Sequence, residues 1–569
     1  MLIHLLSETI HTKNDLHAAK RKWARTLHIP IPPNRALLKD YHERIKKGEV
    51  TPDPLFLHML KRRTIRTISG VAPVTVLTKP FPCPGRCVYC PTERGMPKSY
   101  LSNEPAAARA LKQQFDPYKQ IVIRLHSFYE NGHRPEKIEL IVLGGTWSFY
   151  PRRYQTWFIK RCFQAMNDFI FHYDTTHCTP YRSSHNQLLK ETHDINQTAQ
   201  HRCVGLTLET RPDHITKTEI KRMRALGATR VQLGVQSTHD DVLTLIKRDQ
   251  TRDQVRDATR WLKDAGFKIN YHTMPNLPGS NLQKDTEMYN ELFQHPDFKP
   301  DEMKIYPTVL PSFTPIMEKM WRDGIWKPYT DDELITLLAH VKHTIIPPYV
   351  RIARLIRDIP ATSIIAGSKI SNLREHIQAH MQKKGLLCKC IRCREELGRN
   401  QSIDSSNAEC FIEPIDTTGG KEYFLSFETS SSPSPKIGEG RVRYEKINIL
   451  PPPPTPSSGR RGGESRILHA FLRLRLPDNI THPFISELKG CAIIREVHSY
   501  GQLTPLNGKE VYTSQHTGLG KQLIQKAESI ARDHGYKKMA VISGIGTREY
   551  YKKLGYELEK IYMIKHITS

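Results

Sequence analysis

Lys79–Gly95 reads KPFPCPGRCVYCPTERG, and Cys83, Cys87 and Cys90 within it have the spacing C-x3-C-x2-C. Three thiolates grip three corners of a [4Fe–4S] cube, whereas most electron-transfer clusters use four. One iron is then open to a chelating ligand. S-adenosylmethionine (SAM) suits that place through its amino and carboxylate groups, and reductive cleavage of its C–S bond yields a 5′-deoxyadenosyl radical. Tyr89, beside the last ligand, offers an aromatic ring to shield the cluster or touch adenine. The same spacing also suits a zinc knuckle completed from elsewhere in the chain.

The flanking sequence weighs for the iron cluster. An apolar run, GVAPVTVL (70–77), enters the loop as a first strand would, and ELIVLGGTW (139–147) follows about fifty residues later. Gly144 and Gly145 end that second strand, where the lack of a side chain lets backbone approach a ligand. Further strand-like runs end in polar groups: VGLTLETRPD with Glu209 and Arg211, RVQLGVQS with Gln236 and Ser237, and KINYHTMPNLPG with His272 and Met274. Gly144, Gly145, Glu209, Arg211 and Gln236 are therefore the expected SAM contacts. An amphipathic stretch at 240–266 ends in Gly266 as a helix C-cap. Strands alternating with helices imply a parallel sheet. The expected fold is α/β, a full or partial TIM-like barrel over 66–356 with its chemistry at the strand C-terminal ends. A polar, His-rich segment near 171–202 reads as an insertion.

Cys388, Cys390 and Cys393 make a second cluster in LLCKCIRCREE, within a bridge spanning 357–407. The spacing suits a structural metal, with zinc ahead of a second Fe–S cluster. His376, His380, Cys410 and His498 are equal candidates for a fourth ligand. The other cysteines, Cys162, Cys178, Cys203, Cys410 and Cys491, read as small buried hydrophobes.

Residues 408–569 read as a separate α/β unit. Its stretch 429–465, with SSSPSP and LPPPPTPSSGRRGG, is too rich in Ser, Pro and Gly to bury a core and is expected to be a disordered insert. The flanking EYFLSFE and RILHAFLRLRLP read as neighbouring strands. Residues 515–520, QHTGLG, open an amphipathic helix. Gly518 and Gly520 would let backbone N–H groups reach a pyrophosphate at the positive end of the helix dipole. MAVISGI and REYYKKLGY follow in the order of an acetyl-CoA-binding core of the GNAT type, with Tyr550 placed to reach the thioester or CoA sulfur. REVHSYG, before the loop, reads as the strand that pairs with the pantetheine arm.

The formal net charge is +27, with 38% hydrophobic and 25% charged residues. Such a surface attracts polyanions, RNA or DNA first. Residues 1–65 are basic and helix-prone, with KRK at 20–22 and KRR at 61–63, and are a candidate RNA-binding extension. No apolar run reaches the roughly 20 residues that cross a bilayer, and the N-terminus lacks signal-peptide features. A cytoplasmic location without membrane association is the expectation.

Taken together, the quoted segments resemble the Elongator catalytic subunit family, including its free-standing archaeal and bacterial relatives. RTISGVAPVTVLTKP, EPAAARALKQQFDPY, KIELIVLGGT, GLTLETRPD, LGVQS, PDEMKIYPT, RLIRDIPA, SNLREH, FLRLR, REVHSYG, QHTGLG and ISGIGTREYYKKLGY carry the resemblance. It implies a tRNA carboxymethyluridine synthase acting on carbon 5 of the wobble uridine in the anticodon stem-loop, with acetyl-CoA as co-substrate. It also implies that Lys137 contacts acetyl-CoA from the radical domain. Glu496, Val497, His498, Ser499, Gln515, Gly518, Leu519, Gly520, Lys521 and Tyr550 would complete that site, with Lys137, His498 and Tyr550 as catalytic candidates. The segments at 171–202 and 429–465 depart from the family pattern. The rivals are a protein lysine acetyltransferase whose cysteines are structural, and a non-catalytic RNA-binding scaffold favoured only by the basic charge. Protein partners stay open, a homodimer among them.

Overall fold

In the computed structural model, residues 1–61, 70–171, 187–395, 405–430, 466–500 and 518–567 are described. Four short helices (Leu2–Leu6, Lys13–Thr26, Asn34–Lys46 and Pro54–Leu60) open the chain around a small core that includes Leu5, Leu38, Tyr41 and Leu60. The longest starts on a capping box in which Thr12 accepts from the Asp15 N–H and Asp15 accepts from the Thr12 N–H.

The central unit is a parallel sheet. Its strands are β1 (Val71–Leu77), β2 (Lys137–Leu143), β3 (Arg202–Thr210), β4 (Arg230–Gln236), β5 (Lys268–Thr273) and β6 (Glu302–Ile305). After the short β7 (Leu310–Pro311), β8 (Arg351–Arg354) completes the order β1-β2-β3-β4-β5-β6-β8. The two edge strands, β1 and β8, do not pair with each other, so the sheet is a half-barrel rather than a closed one. Helices such as Pro117–Glu130, Arg152–Asp168 and Arg252–Asp264 cover the outer face over Ile138, Leu140, Leu206, Val231 and Ile269. The expected strands and the partial barrel are present.

Two boundaries differ from the sequence reading. β9 (Ile364–Ala366) pairs with β7, and Arg357 bonds Glu104 at 2.9 Å, so the barrel unit continues past residue 356. Within 171–202, residues 172–186 lie outside the described residues, but the helix Leu189–Asn196 is integral. Its Asn196 Oδ1 accepts from the Cys203 N–H at 2.8 Å at the start of β3. Polar composition hid a helix whose job is to satisfy a strand end.

The C-terminal unit is a second sheet: β10 (Glu409–Thr417), β11 (Gly420–Ser430), β12 (Arg466–Pro477), β13 (Cys491–Ser499), β14 (Lys538–Val541), β15 (Glu557–Glu559) and β16 (Tyr562–His566). Its order is β10-β11-β12-β13-β14-β16-β15, antiparallel except for β13 on β14. β11 and β12 pair directly, as expected. Thr429 and Ser430 belong to β11, and 431–465 lie outside the described residues.

This unit is not separate. Its sheet packs on the N-terminal ends of the barrel strands, and Phe424, Phe471, Ile493 and Tyr562 share one core with barrel residues such as Phe267 and Ile269. Glycines permit the approach: a Cβ on Gly544 would stand 2.2 Å from the Val204 carbonyl oxygen, and one on Gly546 2.5 Å from Arg202 Cβ. A buried ionic layer crosses the seam. Arg495 bonds Asp301 at 2.6 Å and Glu422 at 2.9 Å, Lys263 bonds Glu422 at 3.1 Å, and Arg475 bonds Asp264 at 2.5 Å.

Burial alone would raise the pKa of Glu422, but Arg495, Lys263 and Arg475 outweigh it and bring the carboxyl down to about 2. A folded-state value below the unfolded one gives stability that is present at neutral pH and lost as pH falls toward 2. Glu422→Gln leaves buried Lys263 without its anion and takes one of two carboxylates from Arg495 and from Arg475, and is expected to cost about 3–5 kcal/mol. Denaturant melts at pH 7 measure that loss, and the variant's stability is expected to fall less steeply on acidification than that of the wild type.

Candidate active site

The parallel strands all point the same way, so the loops at their C-terminal ends converge. Cys83, Cys87 and Cys90 leave β1 at that mouth. Cys83 Sγ lies 3.6 Å from Thr146 Oγ1, which follows β2. Cys87 accepts from Arg248 at 3.5 Å and from Arg211 at 3.8 Å. Arg248 is held by the Gly234 carbonyl, by Gln250 and by the Tyr89 hydroxyl. Arg211 is held by Asp213 and the Arg248 carbonyl. The neighbouring Cys90 thiol is the largest influence on Cys87; it overcomes burial and, with the two guanidiniums, brings the Cys87 pKa down to about 4. Positive charge at a thiolate loop is what an anionic iron–sulfur cluster requires. A Cβ on Gly85 would stand 2.2 Å from Arg211 Nη1, so a larger residue there would push that guanidinium from its place beside Cys87.

A cavity of about 840 Å³ runs from this loop into the half-barrel. Of the expected SAM contacts, Gly145, Glu209, Arg211 and Gln236 line it. Gln236 has a left-handed backbone (φ 69°), and its buried Oε1 has no hydrogen-bond partner. A strained residue with an orphaned acceptor beside the cysteine loop fits a ligand amino group. Glu209 accepts from the Tyr100 hydroxyl at 3.1 Å. Gly144 corrects the sequence reading. It is not in the cavity wall; a Cβ there would meet Thr78 Oγ1 at 1.9 Å, so its glycine serves strand packing.

The far end of the cavity is the barrel floor: Glu139, Arg230, Glu302 and Arg351. Arg230 pairs with both carboxylates, and Arg351 bonds Glu395 and the Tyr500 hydroxyl. Behind the floor stands β13, where Glu496 bonds Lys268 and Arg473, both at 3.0 Å.

β13 pairs with β14 only over Cys491–Ile494; from Glu496 to Ser499 it is paired with β12 alone, and its β14-side edge is left open. The backbone of Glu496, Val497, His498 and Ser499 thus borders a notch between diverging strands. Gly518 caps the helix Leu519–Asp533 in the left-handed region (φ 73°), and a Cβ on Gly520 would meet Ser499 Oγ at 3.4 Å, Tyr550 OH at 3.5 Å and Val497 at 3.9 Å. Tyr550 is 44% exposed. The structure therefore brings Val497, Ser499, Gly520 and Tyr550 together at a helix N-terminus, with Leu519 buried and Lys521 on the solvent side. Such a notch fits a pantetheine arm and its pyrophosphate. His498 packs on Phe471 and Tyr500, and burial, opposed by Glu496, lowers its pKa to about 4. Lys137 opens β2 beside Arg202, at the floor and not at the cysteine mouth; burial and Arg202 lower its pKa. Gln515 lies outside the described residues.

Among the described residues, Cys388, Cys390 and Cys393 are the one set of three metal-type ligands whose donor atoms all lie within 4.8 Å of one another. None of His376, His380, Cys410 or His498 joins them there; Lys342 Nζ lies 3.6 Å from Cys393 Sγ.

The sequence reading passed over Arg248, Asn270, Lys304, Tyr306 and Arg357, all on the cavity wall. A signal was present. KINYHT (268–273) and EMKIY (302–306) alternate polar and apolar residues in strands buried on both faces, where hydrocarbon is the norm.

The chain matches the Radical SAM superfamily over residues 82–292, the Radical SAM C-terminal domain over 300–383 and the acetyltransferase (GNAT) family over 487–556. It is 40% identical to a tRNA uridine(34) acetyltransferase of Methanocaldococcus jannaschii, across 95% of this chain and 91% of that one. It is 34% identical to human Elongator complex protein 3, across 89% and 86%. The solved archaeal Methanocaldococcus infernus Elp3 with an N-terminus deletion superposes with a TM-score of 0.70 at 38% identity, covering 88% of this chain and all of that one. Among the described residues no helix is long and apolar enough to cross a membrane.

Arg248→Gln removes the cation nearest the Cys87 sulfur without adding bulk. It is expected to cut cluster retention severalfold after anaerobic reconstitution and desalting, measured as iron and sulfide per chain.

Proposed function

Because this chain belongs to the family of tRNA uridine(34) acetyltransferases and Elongator complex protein 3, we propose that it modifies carbon 5 of the wobble uridine in tRNA, with carbon from acetyl-CoA and a radical derived from SAM. The product is a carboxymethyl group on the base, with CoA released. The observation that carries this reading is one cavity walled at one end by the cysteine loop and at the other by Arg351, which donates to the Tyr500 hydroxyl just past the acetyl-CoA strand.

When bound at Cys83, Cys87 and Cys90, the cluster and SAM supply a 5′-deoxyadenosyl radical at the strand C-terminal mouth. Arg211 and Arg248 hold the thiolate end in place, and Gln236, Glu209 and Gly145 line the SAM side. Backbone of β13 and the Gly518–Gly520 turn hold the acetyl thioester, with Tyr550 and Ser499 beside Gly520. The barrel floor, sealed by Arg230, Glu139 and Glu302, keeps bulk water from the space between. RNA enters on the unclosed side. Arg124 near the β1 edge and Arg354 and Arg392 at the β8 edge line the same cavity. They offer guanidiniums for backbone phosphates on both lips.

The lysine acetyltransferase reading is weaker because Glu496 is held by Lys268 and Arg473 and His498 packs on Phe471 and Tyr500, which leaves neither side chain free as a base toward an incoming lysine.

Anaerobic reconstitution with SAM, acetyl-CoA, dithionite and tRNA, followed by nucleoside mass spectrometry, is expected to give 5′-deoxyadenosine and carboxymethyluridine. Cys87→Ala is expected to abolish both. Acetylation of a lysine peptide without SAM or reductant would overturn the reading.

Cys388, Cys390 and Cys393 are proposed to hold a structural zinc, which clips the bridge to the barrel and to β12. Tetrahedral zinc puts thiolate sulfurs about 3.8 Å apart, within the span these three occupy. Elemental analysis is expected to find one zinc per chain and its loss in Cys390→Ser, with a lowered Tm.

A further inference from the structure

Above the floor residue Glu302, between the two ends of the cavity, lies a polar patch. On β4, β5 and β6, Gln232 stands opposite Asn270, Asn270 opposite Glu302, and His272 opposite Lys304. Residues two apart on a strand share a face, and all five line the cavity.

Asn270 is 1% exposed. Its Nδ2 donates to Glu302 Oε2 at 2.9 Å, and Glu302 is itself paired with Arg230. A carboxylate only accepts, so the amide nitrogen must face Glu302, and Oδ1 is the end left over. That oxygen is buried and has no hydrogen-bond partner. A buried acceptor with no donor carries a penalty that a ligand N–H would remove. On the next strand, Lys304 Nζ donates to Gln232 Oε1 at 2.5 Å, and His272 Nε2 reaches the same oxygen at 3.1 Å. An ammonium has three protons, which leaves Lys304 donors for a ligand. Burial, countered in part by Glu209, brings its pKa to about 8, so it remains a cation at neutral pH.

The place along the barrel is apt. A strand rises about 3.3 Å per residue. Asn270 is therefore about 7 Å from Lys268, which braces Glu496, and about 13 Å from Met274, which packs near Cys90.

We propose that Asn270 and Lys304 form a base-reading site in mid-cavity, in which Asn270 Oδ1 accepts the N3–H of a uracil ring and Lys304 Nζ donates to a uracil carbonyl oxygen. The assignment rests on the wobble-uridine reading above and supplies its specificity. Cytosine has no hydrogen on N3, so its lone pair would face that of Asn270. A site built around a substrate N–H rejects the analogue that lacks it far more strongly than an apolar pocket rejects a missing methyl.

The test is a cycle between protein and base. The reconstituted full-length enzyme, wild type and Asn270→Ala, is given anticodon stem-loop RNAs with uridine or N3-methyluridine at the wobble position. In the wild type, methylation is expected to lower kcat/KM at least tenfold. Asn270→Ala is expected to lose a similar factor on uridine RNA, after which methylation costs the variant less than about threefold. An unchanged Tm and far-UV circular dichroism spectrum of the cluster-free protein report that the variant is folded. Should Asn270→Ala fail to fold, Lys304→Met is expected to lose activity on uridine RNA and Lys304→Arg to restore part of it. A methylation penalty that persists undiminished in Asn270→Ala, or full activity in Lys304→Met, overturns the base site alone. A wild type silent on uridine RNA overturns the wobble-uridine reading and the base site with it.

Discussion

A parallel sheet that stops after seven strands leaves an interior that hydrocarbon does not fill. A closed barrel packs layers of branched side chains against one another; here β1 and β8 stay apart, and the inner face carries Glu139, Arg230, Asn270, Glu302, Lys304 and Arg351 instead. Charges taken from water need partners or a ligand. Most of these have partners: Arg230 sits between two carboxylates, and Arg351 between Glu395 and Tyr500. The few that do not, Asn270 Oδ1 and Gln236 Oε1 among them, mark the places where something else belongs.

The same constraint explains how the two units are joined. An acidic and basic barrel floor could not face an apolar sheet. β11, β12 and β13 therefore present Glu422, Arg475, Arg473, Arg495 and Glu496, which finish the pairings begun by Lys263, Asp264, Lys268 and Asp301. Removing one member strands the others, so the seam is costly to open and holds the two ligand sites at a set separation. The glycines at 544 and 546 contribute by absence, since a methyl at either would collide with β3.

Strand direction then separates the chemistry. Loops at the C-terminal ends hold the cysteines, and the N-terminal ends meet the acetyl-CoA strand. The cavity lies between the two, and its open seam is bordered by arginines on both sides.

Much of this was legible in the residues. The cysteine spacing, the polar strand ends, the Q-x-x-G-x-G turn and the order of strands and helices are local patterns, and local patterns survive in a linear sequence. The half-barrel, the acetyl-CoA unit, the pairing of β11 with β12, and Arg211, Glu209 and Gln236 at the mouth followed from them. What the residues could not disclose depends on which face meets which. Gly144 reads like a ligand-approach glycine, but Thr78 sits where its Cβ would be. The segment before β3 reads as an insertion, yet its helix caps a strand through Asn196. Arg248 follows no motif and becomes the partner of Cys87 only because its strand-end loop folds back over the mouth. Sequence by itself determined the cofactor class and the two-part architecture, because cluster ligation and strand periodicity are encoded within short stretches. Tertiary structure alone decided that the two parts share one core and one ionic floor, because pairing of charges over more than a hundred residues is set by packing and leaves no local trace.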